Sequence, residues 1–331
     1  MACSKTEGWM FMAEDYSTWM NSFEKFWYYM AIDKDSNEAV GGVCLAFDRS
    51  VSGNSDEDLY YVGMYYVRPE WRGSGLGTML FEKILKIAGN SNTGKKWEWV
   101  QVGMYYVRPE WRSSGLGTML FEKILKIAGN SNTVLNGVMK MTDRYAAKYS
   151  FDKMVEYKHN FASISTEKLV IPRIDSQCFI KDLTEVNESD VIAYDAKISH
   201  RNRSKYLLNY ITVGSCYTKV AVDSKGKIIG IGCLRVTYSN DLCTGPLYAD
   251  NEAAARSLLA GMLSMVPNLT SHKTFASLYP AINEDATRLF ESIGDGHMKI
   301  VPFSQCQFTK KIFSTDDVKV FGMIECACSI A

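Results

Sequence analysis

Arg72-Gly73-Ser74-Gly75-Leu76-Gly77 sets three glycines at alternate positions behind a guanidinium. A strand-like aromatic run, Leu59–Val67, leads into it, and an amphipathic pattern starts inside it at Leu76 and stops at Gly89. Leu76, Leu80, Ile84 and Ile87, joined by Phe81, Leu85 and Ala88, form the apolar stripe of that pattern, with Glu82, Lys83 and Lys86 on the wet face. The start of such a helix presents unpaired amides and partial positive charge, which attract an anion. Glycines remove the Cβ atoms that would hold phosphate oxygens away, so successive amides can converge. A glycine turn that only joins strand to helix uses the same residues. The segment occurs twice: residues 62–93 return as 102–133 with one change, Gly73 to Ser113, so the second loop reads Arg112-Ser113-Ser114-Gly115-Leu116-Gly117.

Two common phosphate loops do not fit. Thr78 stands where the third glycine of a dinucleotide fingerprint belongs, and no Gly-Lys-Ser/Thr follows as in a Walker loop. Val67-Arg68-Pro69-Glu70-Trp71-Arg72-Gly73-Ser74-Gly75-Leu76-Gly77 instead resembles motif A of the GNAT superfamily of acyl-CoA N-acyltransferases, and Arg108–Gly117 resembles it again. The resemblance implies acetyl-CoA as acyl donor. Its diphosphate would be held by Val67, Arg72, Gly73, Ser74, Gly75, Leu76 and Gly77, or by Arg112, Ser113, Ser114, Gly115, Leu116 and Gly117. Its pantetheine arm would lie between two splayed parallel strands, Leu59–Val67 (or Trp97–Val107) and Val134–Met139. A primary amine would attack the thioester directly, which requires positioning, a stabilised oxyanion, a proton route and an acid for the leaving thiolate.

The catalytic positions depart from the pattern. The family's acid is commonly a Tyr four residues before the Gly of a Gly-Phe pair; here the pair is Ser150-Phe151 and the position is Ala146. Tyr145 is the candidate acid, one residue out of register, and a packing tyrosine is the competing reading. Asp58 and Glu98 occupy equivalent places ahead of the two copies and are the candidate bases, each also readable as a solvated strand-end charge. The chain is also expected to begin too late for the family's first strand and helix to be complete before Trp9. Trp9, Trp19 and Trp27 could line an acceptor cleft, although an aromatic core explains them equally.

The 331 residues are enough for two domains, and 37 basic against 37 acidic residues give nucleic acid no electrostatic foothold. Without a long apolar run or a signal core the chain is expected to be cytoplasmic, free of membrane spans, with its nine cysteines reduced. Scattered cysteines and four histidines argue against a metal site. Cys328-Ser329-Ile330-Ala331 can be read as a prenylation box or as a plain apolar tail.

The expected fold is α/β with a mixed sheet, built as two tandem GNAT-like units over 1–170 and 175–315 and a tail over 316–331. In the first, a helix at Trp9–Phe23 precedes a hairpin (Phe26–Ile32, Ala39–Phe47). The duplicated strand and helix follow, then strand Val134–Met139, helix Thr142–Tyr149 and strand Lys153–Phe161. In the second come strand Cys178–Leu183, helices Asp190–Ile198 and Asn202–Val213, and hairpin Thr218–Val222 with Ile228–Val236. Strand Thr244–Tyr248, helix Asn251–Met265, strand Thr274–Leu278 and helix Glu284–Ile293 complete it.

Asn283–Gly294 follows the family spacing with Phe290 where an acid would sit, and Tyr248-Ala249-Asp250-Asn251-Glu252 replaces the glycine loop with acids. Asp250 and Glu252 are expected to cap the following helix and repel diphosphate. This half resembles the degenerate C-terminal domain of two-domain GNAT proteins, for which a binding, regulatory or substrate-shaping role is expected.

One fold has one slot for the repeated strand and helix. Five large apolar side chains left in water would cost on the order of 10 kcal/mol, comparable to a whole domain's stability. The spare copy is therefore expected to pack as an extra layer, to swap into a partner chain as a domain-swapped homodimer, or to harm folding. One copy is expected to bind cofactor, the first being favoured for Gly73 and its upstream hairpin. Activity on an amine and non-catalytic acyl-CoA binding by a scaffold both remain open.

Overall fold

Alternating aromatic and β-branched residues make strands the dominant element, and the computed structural model joins them edge to edge into one sheet. It describes residues 10–54, 57, 59–67, 74, 76, 79–80, 83, 99–102, 132–313 and 315–325. The first half contains helix α1 (Asp15–Ser22), hairpin β1 (Lys25–Ile32) and β2 (Ala39–Ser50), then β3 (Leu59–Val67), β4 (Trp99–Val102) and β5 (Asn132–Val138). Helix α2 (Thr142–Tyr149), β6 (Lys153–Met154) and β7 (His159–Ser165) end it. The second half runs β8 (Phe179–Lys181), α3 (Glu188–Ser199), β9 (Arg201–Asn202), α4 (Ser204–Thr212), β10 (Cys216–Val222), β11 (Ile228–Val236), β12 (Leu242–Ala249) and α5 (Glu252–Leu263). It closes with β13 (Thr274–Pro280), α6 (Glu284–Gly294), β14 (Lys299–Phe308) and β15 (Val320–Gly322).

The main path through the sheet is β1-β2-β3-β4-β5-β14-β7-β13-β12-β11-β10-β8. β7, which ends the first half, and β14, the second half's strand before β15, therefore each lie in the other half's sheet. β14 pairs antiparallel with β5 from Ser304–Val138 to Phe308–Val134, and β7 pairs antiparallel with β13 from Thr274–Ser165 to Pro280–His159. The two exchanged strands also pair with each other. Ala162 and Ile164 of β7 are buried in the second half's core, with Leu258, Leu259 and Phe290. The other core mixes the halves: Trp19, Phe23 and Val134 pack with Tyr206, Tyr210 and Phe308.

The extra strand enters the same sheet. β4 lies between β3 and β5 and is parallel to both, with Val62 beside Val102 and Val102 beside Leu135. Val62 and Val102 are the first residues of the two copies, so the two copies start side by side. The three fates weighed from sequence concern the second copy, of which residues 103–131 lie outside the described ones.

Several boundaries move. The first helix starts at Asp15 rather than Trp9, and Trp9 lies outside the described residues. The Asp15 carboxylate accepts from the Met12 amide at 2.8 Å and binds Arg235. The strand expected at Lys153–Phe161 divides into β6 and β7, and β7 runs on to Ser165. The helix expected from Asn202 begins at Ser204, because Arg201 and Asn202 pair with Ser50 and Arg49 of β2.

Asp15 and Arg235 are both nearly inaccessible, and the Arg235 guanidinium also lies 3.5 Å from the centre of the Tyr210 ring. The pair ties the first half's helix to the second half's β11. Removing one partner strands the other charge in a low-dielectric site. Asp15→Ala should lower unfolding free energy in urea by about 3–5 kcal/mol, and Asp15→Ala with Arg235→Met should recover most of it.

Candidate functional site

At the strand β3, two residues, Met64 and Tyr65, face the single Val43 of β2, since Gly42 is level with Tyr66 and Cys44 with Gly63. Such a bulge breaks the ladder locally and re-aims the strand. Beyond β3, Ser74 is exposed and its hydroxyl accepts from the Leu76 amide at 3.4 Å. Leu76, Met79, Leu80 and Lys83 are helical. Leu80 is buried, Leu76 half-buried, and Lys83 sits on the wet side with its ammonium 5.1 Å from the centre of the Tyr29 ring. Leu76 and Leu80 follow the expected stripe and Lys83 the wet face; Met79, assigned to neither, is exposed. Val67 ends β3 opposite Gly41. Arg72, Gly73, Gly75 and Gly77, the whole second loop Arg112–Gly117, and Asp58 and Glu98 lie outside the described residues.

Tyr145 is on α2, and its ring lies over β5. A Cβ added at Gly137 would come within 3.2 Å of the Tyr145 ring and 2.5 Å of Gln307 Oε1. The ring also meets Phe151 edge-on, with centroids 6.4 Å apart. Gln307, on exchanged strand β14, donates to the carbonyls of Phe151 (2.9 Å) and Thr142 (3.2 Å), pinning both ends of α2. Tyr145 is 6% exposed. Burial pushes its hydroxyl up to about 12, Tyr149 adds to this and Arg144 opposes it. An ordinary thiol sits near about 8.5, so full proton transfer from this tyrosine to a thiolate runs uphill by about 5 kcal/mol. Such a group donates a hydrogen bond more readily than a proton.

Among the described residues of the second half, the equivalent positions carry other groups. Helix α5 is capped by Asn251, whose Oδ1 accepts from the Ala254 amide at 2.9 Å. Asp250, expected to cap, instead accepts from the Tyr194 hydroxyl (3.2 Å) and pairs with Lys319 (3.3 Å). Glu252, in the helix's first turn, pairs with Arg256. Phe290 is fully buried against Tyr279 and Phe275. Trp19, a candidate for an acceptor cleft, is 1% exposed and meets Phe11 edge-on; Trp27 is half-buried.

Two family descriptions match the chain: "Acetyltransferase (GNAT) family" over residues 3–104 and "Acetyltransferase (GNAT) domain" over residues 191–273. The chain belongs to the GNAT superfamily. Over nearly the full length of both chains it superposes on a candidate acetyltransferase from Pyrococcus horikoshii (TM-score 0.53, 14% identity, 93% of this chain and 97% of that one). A glucosamine N-acetyltransferase region within a fungal multi-domain β-N-acetylglucosaminidase gives TM-score 0.50 at 11% identity, over 89% of this chain and 34% of that one. Both likenesses concern the fold. Protein F36G3.2 of Caenorhabditis elegans, which carries no functional description, is 28% identical over 215 residues; the match spans 62% of this chain and 55% of that relative.

Within this GNAT frame, sequence reasoning missed Gln307 and Gly137, the pair that seats Tyr145. Gln307 belongs to a strand not expected from sequence, and Gly137 has no neighbouring motif to single it out. Among the described residues no helix is long and apolar enough to cross a membrane. Because a methyl group at Gly137 has no room, Gly137→Ala should cost about 1–3 kcal/mol, read as an earlier urea midpoint.

Proposed function

We propose that this GNAT protein transfers an acetyl group from acetyl-CoA to a primary amine by direct attack, with the donor's diphosphate held by one copy of the repeated loop. The observation that carries the proposal is the parallel run β3-β4-β5 followed, after β3, by a glycine loop and a helix beginning at Leu76. An extended thioester laid along a parallel pair would point its diphosphate at the amides opening such a helix. The β3 bulge at Met64–Tyr65 supports the same reading, because an amide released from the ladder is free to meet a developing oxyanion.

Sheet order moves the choice of copy. The parallel neighbour of β5 is β4, and β3 is a further strand spacing of about 4.8 Å away. This order favours the second copy as owner of the arm's slot beside β5, with Arg112-Ser113-Ser114-Gly115-Leu116-Gly117 as the proposed diphosphate loop. Glu98, ahead of that strand, is then the proposed base, in preference to Asp58. Tyr145 would hydrogen-bond the departing sulfur rather than protonate it outright. Its burial also favours a second reading, a non-catalytic acyl-CoA-binding protein, in which it only packs. The two domains are proposed to span 1–170 and 175–315 in sequence, with location in the cytoplasm.

Binding and turnover are separable by experiment. Arg112→Ala should weaken acetyl-CoA binding by calorimetry about tenfold or more, with Arg72→Ala changing it less than about threefold. The reverse order would assign the first copy, and no heat from the parent protein would end both readings. Free-thiol release against an amine panel then decides function: binding without release leaves only the scaffold. A variant lacking residues 94–133, in which β3 can pair directly with β5, should fold at least as stably as the parent and still bind. Poorer folding would oppose the single-site reading.

A further inference from the structure

Strands β12 and β13 are parallel and ladder-paired only where Leu242 meets Phe275 and Cys243 meets Ala276. Past that point a third strand stands in the gap. β15 pairs antiparallel with β12, Leu247 to Gly322 and Tyr248 to Val320. On the other wall the Met323 amide donates to the Leu278 carbonyl at 2.8 Å, and Ser277 Oγ donates to the Phe321 carbonyl at 3.0 Å. Asn283, the cap of α6, donates to the Val320 carbonyl at 3.1 Å. Val320, Phe321, Met323 and Ile324 are each at most 2% exposed.

The fit extends to the backbone. A Cβ at Gly322 would meet Thr244 Oγ1 at 2.5 Å and Ser277 Oγ at 3.0 Å, and one at Gly245 would meet the Ile324 carbonyl oxygen at 2.5 Å. At the mouth of the gap, Lys319 bridges Asp250 (3.3 Å) and Asp316 (3.2 Å). Asp250 directly follows β12 and precedes the Asn251-capped helix. The corresponding place in the first half, between β3 and the helix at Leu76, carries Arg72, Gly73 and Gly75. One loop is chemically suited to an anion and the other to a cation. Diverging parallel strands followed by a helix are where open α/β sheets take ligands.

We infer that residues 316–325 are a built-in peptide ligand seated in the second half's equivalent of the donor slot. Lys319 stands at the diphosphate end and Val320–Ile324 take the place of the extended arm. The second half is thus a module that holds an apolar peptide led by a lysine, by strand addition to β12 and hydrogen bonds from and to β13. Naming this gap the equivalent of the donor slot rests on the reading of the first half; its occupancy by the chain's own segment does not.

The test uses the full chain with a protease site inserted between Ile312 and Phe313, in the exposed run Lys310–Ile312. After folding and cleavage, a fluorescent peptide of residues 315–325 should exchange with the cut segment and saturate at one per chain. The same peptide with Gly322→Val should bind about tenfold or more weakly, for want of space between Thr244 and Ser277. Uncut protein should take up neither. Loss of the fold on cutting, failure of the cut chain to take labelled peptide, equal binding of the Gly322→Val peptide, or equal uptake by uncut protein would each overturn the inference. No acyl thioester enters the measurement, so its outcome is independent of whether the first half binds one.

Discussion

The pairing of β7 with β14 at the middle of the sheet is the contact on which the remaining structure depends. Each strand comes from one half and completes the other, so neither half has a sheet of its own to retreat to. Buried polar side chains reinforce the seam. Gln305 Nε2 donates to the carbonyls of Val155 and Tyr157, and Gln307 holds both ends of α2. The candidate acid Tyr145 is thus positioned by a residue more than 150 places further along the chain. The chemistry proposed for the first half is supported from the second.

The halves have diverged in charge while keeping the frame. Where the first half has a basic glycine loop, the second has Asp250, Asn251 and Glu252, whose partners are a tyrosine, a lysine, a helix amide and an arginine. Its interior is also rich in buried ions. Arg203 makes two hydrogen bonds to Asp195, at 3.0 and 2.9 Å, and a third to the Tyr248 hydroxyl at 3.1 Å. Buried pairs of this kind give little net stability, but they penalise every arrangement that separates them. That property suits a half whose contribution is to hold strands and helices in register.

Elements with regular periodicity were legible: β3, α2 and β11 have the bounds expected from alternation, turn residues and caps. The family was legible as well, because glycine spacing after a strand is a local signal. The exchange was not, and β14 shows why. Its buried positions include Gln305 and Gln307, which interrupt apolar alternation, and Pro302 falls at a register shift. Polar residues that are buried only because their partners lie far off in sequence leave no periodic trace. For the same reason Val320–Gly322, read as part of an apolar tail, is a strand: its length is below what alternation can resolve, and its ladder partners lie about 75 residues earlier.

The placement of β14 has a consequence for how the molecule is made. A ribosome delivers β1 to β5 long before it delivers Lys299–Phe308, so the first half emerges with one margin of β5 lacking its neighbour. An unfilled margin of that kind invites pairing with other nascent chains. The ladder between β5 and β14 can form only after nearly all of the second half has been translated. Sequence drift in the second half would therefore reach the first, whose sheet takes its neighbour for β5 from the strand the second half lends.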